Sequence, residues 1–121
     1  MTTIPTSHTD ADVLRRAYSG REVEPLLDLY ADDATIEIVD AQNTPSRPQV
    51  LAGKAAIRGH HEDLLARDMT HELDAVASSP EALAYAVRCR YPDGTRVVCS
   101  TIATRRDGKI ARQIVVQAWD A

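Results

Sequence analysis

Leu29-Tyr30-Ala31-Asp32-Asp33-Ala34-Thr35-Ile36-Glu37-Ile38 decides the fold, because a helix gives way to a strand within it. Upstream, Val23, Leu26, Leu27 and Tyr30 recur at i, i+3, i+4 and i+7, the spacing of one buried helix face. Ala31-Asp32-Asp33 breaks that stripe, and Thr35-Ile36-Glu37-Ile38-Val39-Asp40 is rich in β-branched residues suited to a strand. A second signal follows at Gly53-Lys54-Ala55-Ala56-Ile57-Arg58, where a glycine opens another helix.

Working outward, the pattern predicts a helix from Asp10, read as its N-cap, to a stop at Ser19-Gly20. A second helix is expected over 22–31, a strand over 34–40, a loop over 41–48 and a third helix over 54–67. Strands follow over 70–77, 82–91, 95–105 and 110–119, parted by Ser79-Pro80-Glu81, Pro92-Asp93-Gly94 and Arg106-Asp107-Gly108. Helices followed by an antiparallel meander give an α+β domain. The 121 residues read as one domain, with 1–9 a frayed terminus.

Composition excludes several classes. A net charge of −4 offers no basic footprint for nucleic acid. No apolar run reaches the length of a membrane span, so the expected address is cytoplasmic. Phosphate-loop and dinucleotide fingerprints are absent from the sequence, and no cofactor is implied. His60-His61-Glu62-Asp63 is rich in ligand types, yet adjacent helix residues diverge by about 100° and cannot readily share one ion, so no metal is expected. Cys89 and Cys99 flank the Pro92-Asp93-Gly94 turn, and a one-residue register choice makes them neighbours or puts them on opposite faces. Two reduced, buried thiols are expected, since a catalytic thiol wants a basic partner and the sequence offers none in view.

The helix-to-strand stretch, the Gly53 helix and the order of the remaining elements resemble the nuclear-transport-factor-two-like superfamily over residues 10–120. That group includes SnoaL-like polyketide cyclases, scytalone dehydratase and ketosteroid isomerase. The resemblance implies three N-terminal helices packed on a curved, mostly antiparallel sheet that forms a cone-shaped cavity. It also implies a homodimer, often paired in this family through the outer sheet surface, so that Arg88 and Arg90 are read either as interface residues or as simply solvated ones. Placed against ketosteroid isomerase, the chain has Leu14 at the tyrosine, Ile38 at the base and Ile102 at the second acid. Aliphatics at all three positions leave no route for that enzyme's proton abstraction and enolate stabilisation.

Polar groups expected near the same cavity carry the functional reading. Asp40 lies two residues beyond Ile38, on the same strand face. His60 and His61 flank the Ile57 and Leu64 stripe, so at least one points inward. Asp40 as base or orienter with His60 as acid/base is the catalytic candidate; satisfied core histidines and a solvated strand end are the alternative. The resemblance favours the Gln113, Val115, Gln117 and Trp119 face of the last strand as cavity lining. Trp119 reads as an apolar lid or as a terminal core plug. Tyr18, Tyr30, Ile38, Tyr85 and Ile102 complete the expected substrate-binding set. Two functions follow: a cofactor-independent isomerase, dehydratase or cyclase acting on a small hydrophobic polyketide-like or terpenoid ring compound, or a non-catalytic module binding a small molecule or a protein partner.

Overall fold

In the computed structural model, which describes residues 9–120, the first helix α1 (Asp10–Tyr18) is capped by Thr9, whose hydroxyl accepts from the Asp12 N–H at 3.2 Å. The cap is therefore one residue earlier than expected. Asp10 instead lies in the first turn, where its carboxylate meets Arg105 at 2.6 Å. Residues 1–8 of the expected frayed terminus lie outside the described residues. Leu14, Ala17 and Tyr18 form the buried face of α1.

Helix α2 (Val23–Leu27) is shorter than its apolar stripe predicts, and strand β1 (Tyr30–Val39) begins correspondingly early. Tyr30 is buried under either assignment. Tertiary pairing settles the matter: the Ile110 N–H donates to the Leu29 carbonyl at 2.7 Å, and Tyr30 registers against Ile110. The register of β1 against the last strand shifts between Tyr30 and Thr35, so the Asp32-Asp33 pair is carried on an irregular, exposed segment.

A short strand absent from the sequence reading, β2 (Gln49–Ala52), pairs antiparallel with β1 and forms one sheet edge. Four residues with a mostly exposed pattern carry too little alternation to signal a strand. Gly53, at φ 88°, then turns the chain into α3 (Lys54–Ala66), its N–H held by the Ala34 carbonyl at 2.8 Å.

β3 (Thr70–Ser78), β4 (Ala82–Arg90), β5 (Arg96–Arg106) and β6 (Lys109–Trp119) follow as an antiparallel meander. The sheet order is β2-β1-β6-β5-β4-β3, with β1 and β6 parallel and every other pair antiparallel. Three helices thus pack on a curved, unclosed sheet, as expected. Leu14, Leu26, Leu27, Ile36, Ile38, Ile57, Leu83 and Ile110 are essentially inaccessible between the layers. Each such side chain contributes roughly 1.5–3 kcal/mol on leaving water. No helix among the described residues is long and apolar enough to cross a membrane.

Candidate functional site

Period-two alternation delivers one face of each strand to the concave side of the sheet. Tyr85 on β4 is buried, so its cross-strand partner Thr101 also faces inward, and Thr101 in turn registers with Val115. A buried polar network lies within the concavity. The Tyr30 hydroxyl donates to Gln113 Oε1, and the Gln113 amide reaches Thr101 Oγ1 at 3.5 Å. With its own proton committed, the Tyr30 oxygen accepts from His61 Nε2 at 3.3 Å. Tyr18 and Tyr85 share a hydrogen bond of 3.2 Å. Burial raises the pKa of all three tyrosines and pushes His61 down to about 3. These groups are neutral near pH 7, and they position one another.

The space beside this network is small. An inner cavity of about 30 Å³ lies among Tyr18, His60, His61, His71, Thr101 and Gln113, room for little more than a water. It continues towards a mouth of about 390 Å³, walled by Ile38, Asp40, Met69, Tyr91, Gln117 and Trp119. His60, Leu64, Cys89, Cys99 and Gln117 line both. The mouth falls in the size range of small-molecule sites.

A SnoaL-like domain profile matches residues 12–113. The chain belongs to the SnoaL-like family. Its fold matches an NTF2-like protein of unknown function from Mesorhizobium loti, with 18% identity over 92% of this chain and 97% of that one (TM-score 0.73). It also resembles IdmH from Streptomyces antibioticus, provisionally assigned as a polyketide cyclase, at 22% identity over 93% of each chain (TM-score 0.61). A Kribbella flavida protein provisionally assigned as a ketosteroid isomerase is 18% identical over 91% of this chain and 76% of that one (TM-score 0.66). Comparison with curated proteins returned no match.

In this SnoaL-like domain the candidate residues divide by position. Ile38, Asp40, His60, Gln117 and Trp119 wall the mouth, while Tyr18, His61 and Gln113 line the inner cavity. Tyr30 and Tyr85 lie behind the lining and act through Gln113 and Tyr18. Ile102 is a correction: it is 63% exposed on the outer face. Its cross-strand neighbours Ala84 and Ile114 share that face, because Tyr85, Thr101 and Val115 occupy the other. The inward residues beside it, Thr101 and Ala103, are not acids either, so the aliphatic replacement of the isomerase groups stands without it.

Asp40 and His60 share the mouth but are not hydrogen-bonded. Asp40 Oδ1 accepts from the Gln42 N–H (2.9 Å), the Asn43 N–H (2.7 Å) and Asn43 Nδ2 (3.0 Å), closing the turn after β1. Among the described residues, neither ring nitrogen of His60 nor Asp40 Oδ2 has a hydrogen-bond partner. Burial holds the His60 imidazole below its ordinary pKa, helped by the Arg67 charge and partly offset by Asp63. Trp119 is neither fully lid nor plug: it stacks on Tyr91 at 5.8 Å, remains 42% exposed, and donates its indole N–H to Gln117 Oε1 at 3.1 Å.

One pair was hidden from the sequence. Cys89 Sγ lies 3.3 Å from His71 Nδ1, so the thiol has the basic neighbour that was not in view. The two residues sit opposite each other across β3 and β4, and a bulge between Leu73 and Ala75 creates that register. Counting back from the Ser79-Pro80-Glu81 turn without the bulge sets His71 against Arg90, on the outer face. Cys99, opposite Val87, is the diagonal neighbour of Cys89 on the inner face. Both cysteines are free. No grouping of three or more His, Cys, Asp or Glu among the described residues could hold a metal ion.

Proposed function

We propose that this SnoaL-like domain is a cofactor-independent proton-transfer enzyme acting on a small, mainly apolar ring compound bound in the mouth. The observation that carries this reading is His60: a half-buried imidazole that packs edge-on against His61 but has no hydrogen-bond partner among the described residues, at the junction of the mouth and the inner cavity. A neutral imidazole there can take a proton from carbon or oxygen and return it elsewhere on the ring. Asp40 contributes Oδ2, its free oxygen, to a ligand hydroxyl, while Oδ1 stays committed to the turn. Isomerisation, dehydration and cyclisation all fit such chemistry. The relatives assigned as an isomerase and a cyclase support this range without selecting within it. We further propose that two copies pair through the outer face of the sheet.

The test is exchange of ring α-hydrogens of a saturated cyclic ketone in deuterated buffer, followed by NMR. Wild-type protein is expected to exchange above the buffer rate. His60→Ala is expected to lose about 10²–10⁴-fold of that excess, with Tm within a few degrees because His60 is only partly buried. Exchange indistinguishable from buffer across a panel of ketones, with the ligands still bound, would establish the binding-module reading instead. Aliphatic Leu14 and Ile38 at the isomerase positions favour that second reading.

A further inference from the structure

The opposite wall of the same cavity carries chemistry that the His60 reading does not use. His71 is 7% exposed, lines the inner cavity, and leaves Nε2 without a hydrogen-bond partner while Nδ1 faces Cys89 Sγ. Cys89 is 5% exposed and lines both the inner cavity and the mouth, so its side chain borders the space that a molecule in the mouth occupies. Cys99 and His71 both support the thiolate: hydrogen bonding from Cys99 and then His71 lowers the Cys89 pKa against the opposing effect of burial, and the Cys99 thiol is raised in turn.

What such a thiol can attack is limited by its place in the sheet. β4 lies between β3 and β5 and is paired on both sides, so the backbone N–H groups around Cys89 belong to the ladders. Among the described residues, no helix N-terminus or turn presents free amides to a tetrahedral oxyanion there, which disfavours acyl transfer. A carbonyl oxygen removed from the sulfur by the length of a conjugated system has a donor instead. The Trp119 indole N–H can only donate, so it fixes Gln117 Oε1 as its acceptor and leaves the Gln117 NH₂ free in the mouth. Gln117 registers directly against Cys99, beside the thiol pair.

We propose that Cys89 and His71 form a thiol–imidazole dyad that adds reversibly to α,β-unsaturated carbonyl compounds seated in the mouth, with the Gln117 amide donating to the carbonyl oxygen. The Cys89 proton passes to His71 Nδ1, and sulfur forms a bond to the β-carbon. The carbon–carbon π pair moves to the enolate, and the proton from His71 completes the α-carbon. The product is a saturated carbonyl thioether, and elimination retraces the path. No oxidant, reductant or co-reactant enters. The apolar side chains Ile38, Leu64, Met69 and Val97 of the mouth suit the hydrocarbon part of such a ligand.

The test is intact-mass and peptide-mapping mass spectrometry of the full chain incubated with cyclohex-2-enone. One adduct per chain is expected, mapped to Cys89 and absent in Cys89→Ser. Its rate should exceed that of the thiols of the urea-unfolded chain by about tenfold or more, and His71→Gln should bring it down towards that reference. Should His71→Gln fail to fold, the comparison of native and unfolded wild type decides alone. An adduct confined to Cys99, no adduct, or a native rate no greater than the unfolded one would overturn the proposal. A saturated ketone cannot accept a thiol by this route, so this reading and the His60 reading fail separately.

Discussion

His61 is 3% exposed, and its Nδ1 is buried without a partner while Nε2 donates to Tyr30. Protonating it places a charge where nothing compensates, which is why burial takes its pKa from 6.5 to about 3. Between those values the unfolded chain binds a proton that the folded chain refuses. The contribution is therefore complete above pH 6.5 and is lost as the pH falls towards 3, by about 1.4 kcal/mol per pH unit at most. His61→Gln retains an amide able to donate to Tyr30 and cannot titrate. We expect it to be less stable than wild type by about 1–3 kcal/mol near neutrality. Its urea-unfolding free energy should also fall less steeply from about pH 7 to about pH 4.5. An unchanged slope would mean that His61 is not the group resisting protonation. The adjacent His60 differs because its ring reaches the mouth, so adjacent histidines of similar sequence context take unlike roles.

Elements are placed by a few backbone devices, and Gly53 is the clearest. Its φ of 88° lets β2 run directly into α3, and its N–H closes onto Ala34 of β1. A Cβ there meets nothing nearer than the Asp32 carbonyl at 4.0 Å, so the cost of Gly53→Ala is conformational rather than steric crowding. We expect a loss of about 1–2 kcal/mol, read as a fall in Tm of several degrees by calorimetry. A Tm at or above the wild-type value would contradict the strain. Such devices also set what the sequence could disclose. The apolar alternation of β4 was readable because one of its faces is buried against the helices, whereas the residues of β6 left its two faces open and only the family resemblance favoured the glutamine face. Ile102 was not readable, since β5 carries apolar residues on both faces and only pairing with β4 orients it. The β3 bulge that turns His71 towards Cys89 has no glycine or proline to announce it. The order of the elements was therefore legible, whereas the face that Ile102 takes and the contact of His71 with Cys89 depended on one-residue shifts of register.

On the scale of the whole molecule, the helices occupy one face of the sheet, and among the described residues no helix covers the other. Ile102 (63% exposed) and Val116 (48% exposed) lie on that outer face, joined by Ile114 across from Ile102. The polar rim includes Arg88, paired with Asp74 at 2.9 Å, and Arg112, paired with Glu37 at 3.6 Å. An apolar strip with a charged rim suits a two-fold interface in which the same patch meets itself. A stable pair would bury about 1,200–2,000 Å² in total, which requires most of the face and not Ile102 alone. Ile102→Glu tests the proposed pairing, because near a two-fold axis it sets two like charges against each other while removing no core contact. Sedimentation is expected to give a dimer for wild type and a monomer for I102E, with the far-UV circular dichroism unchanged because the core side chains lie on the opposite face. A monomeric wild type, or an I102E dimer of undiminished affinity, would show that the strip is not the contact. The inward residues of the same strands, Cys99, Thr101, Gln113 and Gln117, line the cavity. Pairing on the outer face would thus brace β5 and β6, the strands that carry the back wall of the site.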